Sequence, residues 1–485
     1  MDRAEEDQES RQESRVLNVM SAVRDVSGDT RRNALRRSFL FLLLASSVLL
    51  LSSCASAPRL QPEISGLVAA HQWDSAVSKI EQPRADYGHG NYLLYYLDRG
   101  MLEQMTGHYD QSIQSFEKAK RRFEALYTRS VSAEAASWAV NDYELPYRGS
   151  DYEYVLVNVF QALNYIQSGR TDEALVEARD LDSKFRVVEE RASQSGRRHF
   201  EDNGFARFFM GLIYESSGRG EDANDALISY RQALALYDGY YGGAYVPELL
   251  QERLLALGAR FADSDLATWA RRFPSARKAA AGLAGKSVVY LVHLVGYSPV
   301  KEEEMLPVPL GQGMITKIAV PRFVQRPGVV SASRLVATPL SGSGGWLTGG
   351  MTGSELGEDI TDLAGRDLES RRALILSKAI LRPGLKAWLE TRQRDNVKKR
   401  FGEGAAGLFT LLGDLYNLFS EKADLRSWQS LPGQIRIARL VLAPGQYQLK
   451  VHELGDGDVL VGTEELGAVG LSAGETRFVV RRASR

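Results

Sequence analysis

The chain has 485 residues, too many for one hydrophobic core, so its length predicts two or three domains. Its 60 basic residues balance 61 acidic ones, and a formal net charge of −1 excludes an overall electrostatic attraction to nucleic acid or anionic lipid. A single cysteine excludes an intrachain disulfide and a thiolate metal cluster.

Residues 1–53 have the parts of an export signal. Four arginines precede an apolar run at 39–51, and its length of about 13 residues is short of the roughly 20 that a bilayer crossing needs. The polar stretch before the arginines is long for such a signal, so Met20 is an alternative start. Arg36 and Arg37 also fit part of a twin-arginine signal, but the strongly apolar run after them favours the general export route.

The chain's only cysteine, Cys54, ends the sequence Leu51-Ser52-Ser53-Cys54, which resembles the lipobox of bacterial lipoproteins. The resemblance implies a diacylglycerol on the sulfur and cleavage just before it. Several acyl chains anchor firmly, because each buried methylene contributes about 0.8 kcal/mol. In such lipoproteins an aspartate after the cysteine keeps the protein in the inner membrane. Ala55 stands there instead, which implies the outer membrane, with the body in the periplasm. The alternative is a plain secretory signal.

Residues 54–275 carry a helical pattern that predicts a tetratricopeptide-like (TPR-like) α-helical solenoid. The clearest unit is 152–184, two apolar helical patterns joined by Ser168-Gly169-Arg170-Thr171, with small residues where the helices meet. Similar turns are predicted at 71, 107 and 218. Their spacing is uneven against a nominal repeat of about 34 residues, and 130–140 is predicted to be an extra helix. The alternative is a generic helical domain.

The loop before the clearest unit is a candidate surface for a protein partner. Proline and glycine predict a loop, and four tyrosines beside charges of both signs are typical of interaction surfaces. The alternative is a loop that lies over the solenoid with its rings buried. The candidate residues are Tyr143, Tyr147, Arg148, Asp151 and Tyr152.

The inner surface of the predicted solenoid is a second candidate, because its residues are apolar. Phe205 and Phe208 lie on this surface in the fourth unit. Two alternatives stay open: the protein fills the groove with its own residues, or the groove takes an apolar helix from a partner.

The lipobox, the stretch 144–179 and Trp428-Gln429-Ser430-Leu431-Pro432 together resemble a family of bacterial TPR-repeat-containing outer-membrane lipoproteins. The resemblance covers most of the chain after Cys54. It implies no catalytic mechanism, and it favours cell-wall synthesis as the setting.

Residues 286–485 predict a β-sandwich-like domain, which makes the fold class α+β. β-branched runs bounded by proline and glycine predict strands. A helical insertion is predicted at about 354–427, with an apolar helix at 401–419 that is either buried or lies in a membrane interface. The acidic run Glu302-Glu303-Glu304 is predicted to be a solvated loop. The predicted strands are 287–293, 314–320, 329–337, 434–442, 447–453 and 476–481.

Motifs for catalysis and metal binding give little. The six histidines are scattered without an H-E-x-x-H, so no metal site and no cofactor is expected. Gly470–Gly474 matches G-x-S-x-G, but no histidine follows it, so we interpret it as a turn. The sequence thus favours a non-enzymatic, lipid-anchored periplasmic scaffold or adaptor that binds a protein of the cell envelope. The alternatives are an enzyme acting on peptidoglycan, with histidine and carboxylates converging in a cleft, and a glycan-binding module with exposed aromatic rings.

Overall fold

Helices make up the first half of the protein, and they pair in chain order. In the computed structural model each helix packs chiefly on its neighbours in sequence, and most pairs are joined by a short turn. The helices are α1 (Gln61–Ala69), α2 (Trp73–Glu81), α3 (Tyr92–Met105), α4 (Tyr109–Thr128), α5 (Asp151–Gln167), α6 (Thr171–Gln194), α7 (Gly204–Ser216), α8 (Gly220–Tyr241), α9 (Glu248–Arg260), α10 (Leu266–Arg272) and α11 (Ala276–Ala279).

The structure describes residues 61–70, 72–81, 87–128, 145–194, 203–279, 285–311, 314–340, 348–401 and 422–483. The predicted signal peptide, Cys54 and Tyr143 lie outside these ranges. So do the helix predicted at 130–140 and most of the one predicted at 401–419.

Two glycines let paired helices approach closely. A Cβ added at Gly100 in α3 would lie 2.5 Å from a ring carbon of Phe116 in α4. At Gly211 in α7 it would lie 2.2 Å from a ring carbon of Tyr230 in α8. Both rings are fully buried, so each fills the gap that the missing side chain leaves.

Glycine also ends helices at the turns predicted at 107, 169 and 218. Gly107, Gly169 and Gly218 have φ angles of 78°, 72° and 70°, a left-handed conformation that glycine adopts without strain. These three turns are confirmed.

The strands of the second half form two four-stranded sheets and one hairpin. The helix-side sheet has the order β10-β1-β7-β6, with β1 and β10 parallel, and the solvent-side sheet has the order β5-β4-β8-β9. β2 and β3 form the hairpin. The strands are β1 (Ser287–Val295), β2 (Val300–Gly311), β3 (Met314–Val324), β4 (Ala332–Pro339), β5 (Gly350–Gly353), β6 (Glu355–Asp359), β7 (Gln434–Leu442), β8 (Gly445–Leu454), β9 (Leu460–Leu471) and β10 (Thr476–Arg482).

The helix-side sheet is the middle of three layers. Every residue of β1 is buried, and its side chains alternate between two cores. Val289 and Leu291 pack against the solvent-side sheet. Tyr290 and Val292 belong to the large cluster that also contains the helices. Burial on both faces explains why β1 is a continuous apolar run. The described helices and sheets belong to one contact unit, Ala57–Arg485. The predicted division into separate domains stays a prediction.

The region predicted as a helical insertion contains a strand as well as a helix. β6 pairs with β7 at the edge of the helix-side sheet, and α12 (Ile360–Phe401) follows it. Within the described ranges no helix has both the length and the apolar content to cross a bilayer. The loop predicted at Glu302–Glu304 is wrong, because these residues pair with β3 as part of β2. Their side chains are nonetheless exposed.

Candidate functional site

The loop before α5 is buried, contrary to the exposure predicted for its tyrosines. Tyr147 and Tyr152 are 5% and 6% exposed, and Asp151 is buried as well. The Tyr147 backbone N–H donates to the Gly90 carbonyl at 2.7 Å, which fixes the loop against the start of α3. The expected exposure is therefore wrong, because the rings gain free energy by leaving water. A partner-binding role for these residues stays a prediction, and Arg148 keeps more accessible surface than they do.

Glu153 organises the start of α5. Its Oε2 accepts the backbone N–H of Ser150 at 2.8 Å, one half of the capping box that S-x-x-E sequences form. The same oxygen accepts the hydroxyl of Tyr147 at 2.6 Å. Glu153 is fully buried, so the helix start presents a carboxylate to the interior of the protein.

The groove that α3, α4 and α5 line is occupied by residues 422–433, which we call the groove segment. It has no helix or strand and leads into β7. Trp428 at its centre is fully buried, and its ring lies 5.9 Å from Phe116 of α4 and 5.8 Å from Phe160 of α5, both edge to face. The groove thus holds a segment of its own chain.

Glu153 binds this segment through its second oxygen. Oε1 accepts the backbone N–H of Trp428 at 2.7 Å, so the carboxylate receives three hydrogen bonds in all. Burial raises the pKa of Glu153, although the hydrogen bonds from Tyr147, Ser150 and Trp428 lower it. The three donors offset much of the cost of burying this carboxylate.

Asp98 of α3 holds the far end of the segment. Its two oxygens accept the hydroxyls of Ser430, at 2.8 Å, and Tyr87, at 3.1 Å. Ser430 in turn accepts the indole N–H of Trp428 at 2.9 Å. Burial raises the pKa of Asp98 to about 7, against hydrogen bonds from Ser430 and Tyr87 that lower it. The carboxyl therefore changes protonation near neutral pH.

Arg426 fixes the near end of the segment. Its guanidinium pairs with Asp424 at 2.7 Å and donates to the side-chain oxygen of Asn91 at 2.9 Å and the carbonyl of Leu145 at 3.0 Å. It also lies 5.4 Å from the ring centroid of Tyr147. Because Asn91 and Leu145 flank the buried loop, Arg426 joins that loop to the groove segment.

The apolar surface around Phe205 and Phe208 is also filled by the protein itself. Both side chains are fully buried. Phe205 stacks on Phe209 at 5.8 Å, and a Cβ added at Gly357 of β6 would lie 2.6 Å from its ring. Of the two alternatives for the groove, self-filling is thus what the structure gives at α7.

A histidine and a glutamate meet between the two sheets rather than in a cleft. His293 and Glu453 are fully buried, with Nε2 and Oε1 3.8 Å apart, beyond hydrogen-bond distance. Burial lowers the pKa of His293 to about 3, and the charges of Arg436 and Arg482 lower it further. His293 is therefore neutral, and at full burial no substrate reaches it.

Open depressions do not gather catalytic groups either. A depression of about 510 Å³ at the start of α12 is lined by Asp359, Asp362, Arg366 and Glu369, among others, and Arg366 pairs with Asp362 at 2.7 Å. Among the described residues no group of three or more histidine, cysteine, aspartate or glutamate side chains is placed to hold a metal.

The residues that build the groove were largely missed by sequence reasoning. Glu153 carries a local signal, since S-x-x-E predicts a capping box. Trp428 and Ser430 stand in a stretch noted only for its resemblance to a family. Asp98 and Arg426 carry no signal, because their partners are distant in sequence.

A comparison with protein-family models gives no match, and neither does a comparison with curated proteins. Among solved structures the chain is similar to one titled "Crystal structure of BtubC (BKLC) from P. vanneervenii", at 15% identity and a TM-score of 0.26. The match covers 51% of this chain and 87% of that one. A likeness at this level carries no argument about fold or function.

Proposed function

We propose that this chain is a lipid-anchored, non-enzymatic docking protein of the bacterial cell envelope. In this proposal the helical hairpins form a TPR-like solenoid, and the two packed sheets form a β-sandwich-like domain. Cys54 carries the acyl anchor at the periplasmic face of the outer membrane. The partner is a protein of the envelope, with cell-wall synthesis as the setting, and neither nucleic acid nor a cofactor is involved.

The observation that supports this proposal is the internal use of the groove's charges. Asp98, Glu153 and Arg426 all bind other parts of the same chain. Each holds the groove segment or the loop beside it, so these groups serve the fold and not a substrate. A body fixed in this way presents its outer surfaces to a partner, whereas its groove is already occupied.

Two further observations favour docking over the alternatives. The histidine and glutamate that meet, His293 and Glu453, are sealed between the sheets. The outward side chains of β8 are polar, Gln446, Gln448, Lys450 and His452, whereas a glycan-binding face relies on exposed aromatic rings.

Cell fractionation of the Cys54→Ser variant tests the anchor. We expect the wild type and a matched Ser56→Ala control in the outer-membrane pellet, and Cys54→Ser in the soluble periplasmic fraction. Persistence of Cys54→Ser in the pellet would contradict acylation at this residue.

A turnover assay separates docking from catalysis. The purified full chain is incubated with peptidoglycan, and soluble fragments are measured by chromatography. We expect no release above a heat-treated control. Release that His293→Leu abolishes would refute the docking role and favour the enzyme.

A further inference from the structure

Two arginines at one end of the helix-side sheet lie against a single tyrosine ring. Arg482 closes β10, opposite Leu294 of β1, and Arg326 follows β3. Their guanidinium carbons lie 5.2 Å and 5.1 Å from the ring centroid of Tyr297. All three side chains are half-buried.

The hydrogen-bond partners of both arginines are neutral. Arg326 donates to the carbonyl of Ser298 at 2.6 Å, to its hydroxyl at 3.3 Å, and to the carbonyl of Gln429. Arg482 donates to the carbonyl of Gly296. Its Nη1 is buried and meets no acceptor in the described part of the chain.

Other buried arginines of this protein have a carboxylate in contact. Arg426 pairs with Asp424, and Arg371 with Asp367, both at 2.7 Å. Neither Arg326 nor Arg482 has such a partner within 4.0 Å among the described residues. Two guanidinium groups therefore share one place without a counter-charge.

The electrostatics of the pair follow from this arrangement. Burial lowers the pKa of Arg326 to about 10 and that of Arg482 to about 9, and the charge of Arg326 lowers the latter further. Asp98 is the acid that acts on Arg326, but its own pKa is raised to about 7, so it is not fully ionised at neutral pH. An anion at this place would relieve the repulsion and satisfy the buried Nη1.

We propose that Arg326 and Arg482 form a binding site for a phosphate-type oxyanion, with Nη1 of Arg482 as a donor to it. The planar guanidinium fork matches the geometry of phosphate oxygens. Because the side chains are half-buried, an anion reaches them from solvent. This site is independent of the docking role proposed above.

The position of the site allows either a free phosphate or a phospholipid headgroup. The Tyr297 hydroxyl donates to the carbonyl of Val68 at 3.0 Å, so the site lies beside the end of α1. α1 starts at Gln61, and the chain between Cys54 and Gln61 spans at most about 25 Å when extended. A membrane that holds the predicted anchor is then near enough for a headgroup to enter.

Thermal unfolding of the full chain in potassium phosphate tests the site, with potassium chloride at equal ionic strength as the reference. We expect phosphate to raise the melting temperature of the wild type by several degrees, and Arg482→Gln to lose that shift. The matched control is Arg477→Gln on the same strand, where the arginine pairs with Glu475 at 2.9 Å; it should keep the shift. An equal shift in all three proteins, or none in any, would overturn the proposal.

A binding measurement covers the case in which Arg482→Gln does not fold. Equilibrium dialysis of the wild type and of Arg482→Lys against radiolabelled inorganic phosphate requires no unfolding. Lysine keeps the charge but loses the fork, so we expect at least a tenfold weaker affinity. Unchanged affinity would overturn the role of Arg482.

Vesicle flotation then identifies the source of the anion. The full chain with Cys54→Ser is mixed with phosphatidylglycerol vesicles or phosphatidylcholine vesicles. Flotation that Arg482→Gln abolishes identifies the headgroup, and phosphate binding without flotation identifies the free ion. If neither probe binds, the arginine pair is only a structural clamp and the proposal is refuted.

Discussion

The groove and the space between the two sheets both bury titratable side chains, but only the groove supplies them with partners. Glu153 accepts three hydrogen bonds. Both ring nitrogens of His293 meet no hydrogen-bond partner among the described residues. Directional bonds therefore fix the groove segment in one position, whereas between the sheets burial alone keeps the histidine neutral. The first arrangement specifies a structure, and the second makes stability depend on acid.

Removing the indole of Trp428 should give the largest effect. Trp428→Ala leaves a cavity between Phe116 and Phe160, so we expect the free energy of unfolding to fall by about 3–5 kcal/mol. Urea denaturation measures it. Phe261→Ala is the matched control, because that ring is 38% exposed, and it should cost far less. Equal losses would mean that the groove does not depend on the segment.

Glu153→Gln tests the hydrogen bonds of the groove without changing the size of the side chain. The amide places an N–H₂ group against donors, either Trp428 N–H or the Tyr147 and Ser150 pair. We expect a loss of about 2–3 kcal/mol in urea denaturation. Arg148→Gln, at a half-buried site in the same loop, should change stability by less than about 0.5 kcal/mol. A neutral Glu153→Gln would refute the account of the carboxylate.

His293→Leu should have the opposite sign. It removes two buried nitrogens without partners, so we expect a gain of about 1–2 kcal/mol at neutral pH. The folded pKa of about 3 lies below the ordinary 6.5, so this residue's stability contribution is present above pH 6.5 and is lost as pH falls toward 3. The variant should resist acid better than the wild type. His452→Leu on the half-exposed face of β8 should leave the acid branch unchanged; an identical benefit there would contradict the assignment.

Asp98→Asn should give the smallest effect, visible chiefly as a change in pH dependence. The folded pKa of about 7 lies above the ordinary 3.8, so the contribution of Asp98 is complete below pH 3.8 and is lost as pH rises through 7. We expect the wild type to lose about 1 kcal/mol or less relative to the variant between pH 5 and 8, measured by urea denaturation across pH. Glu358, whose pKa burial raises to about 8, has the same sign and remains in both proteins. Parallel profiles would contradict a raised pKa at Asp98.

The sequence predicted the parts of the fold that local patterns encode. Gly107, Gly169 and Gly218 mark turns through their backbone freedom, and the apolar run of β1 marks a buried strand. β6 escaped prediction because its short acidic sequence becomes a strand only through pairing with β7.

The groove was harder to predict for the same physical reason. Tyr147 stands in a polar loop, and its burial depends on Arg426, which lies far along the chain. The contact between Glu153 and Trp428 joins residues 275 positions apart. No local pattern encodes such a pairing, so burial and hydrogen bonding across the fold decide it.

Hydrogen exchange at the Trp428 amide tests most directly whether the groove segment is a fixed part of the fold. This N–H donates to the buried Glu153 carboxylate. It should therefore exchange only when the whole protein unfolds, with a free energy equal to that from urea denaturation. Exchange within seconds at neutral pH, at the rate of an exposed loop, would contradict the account.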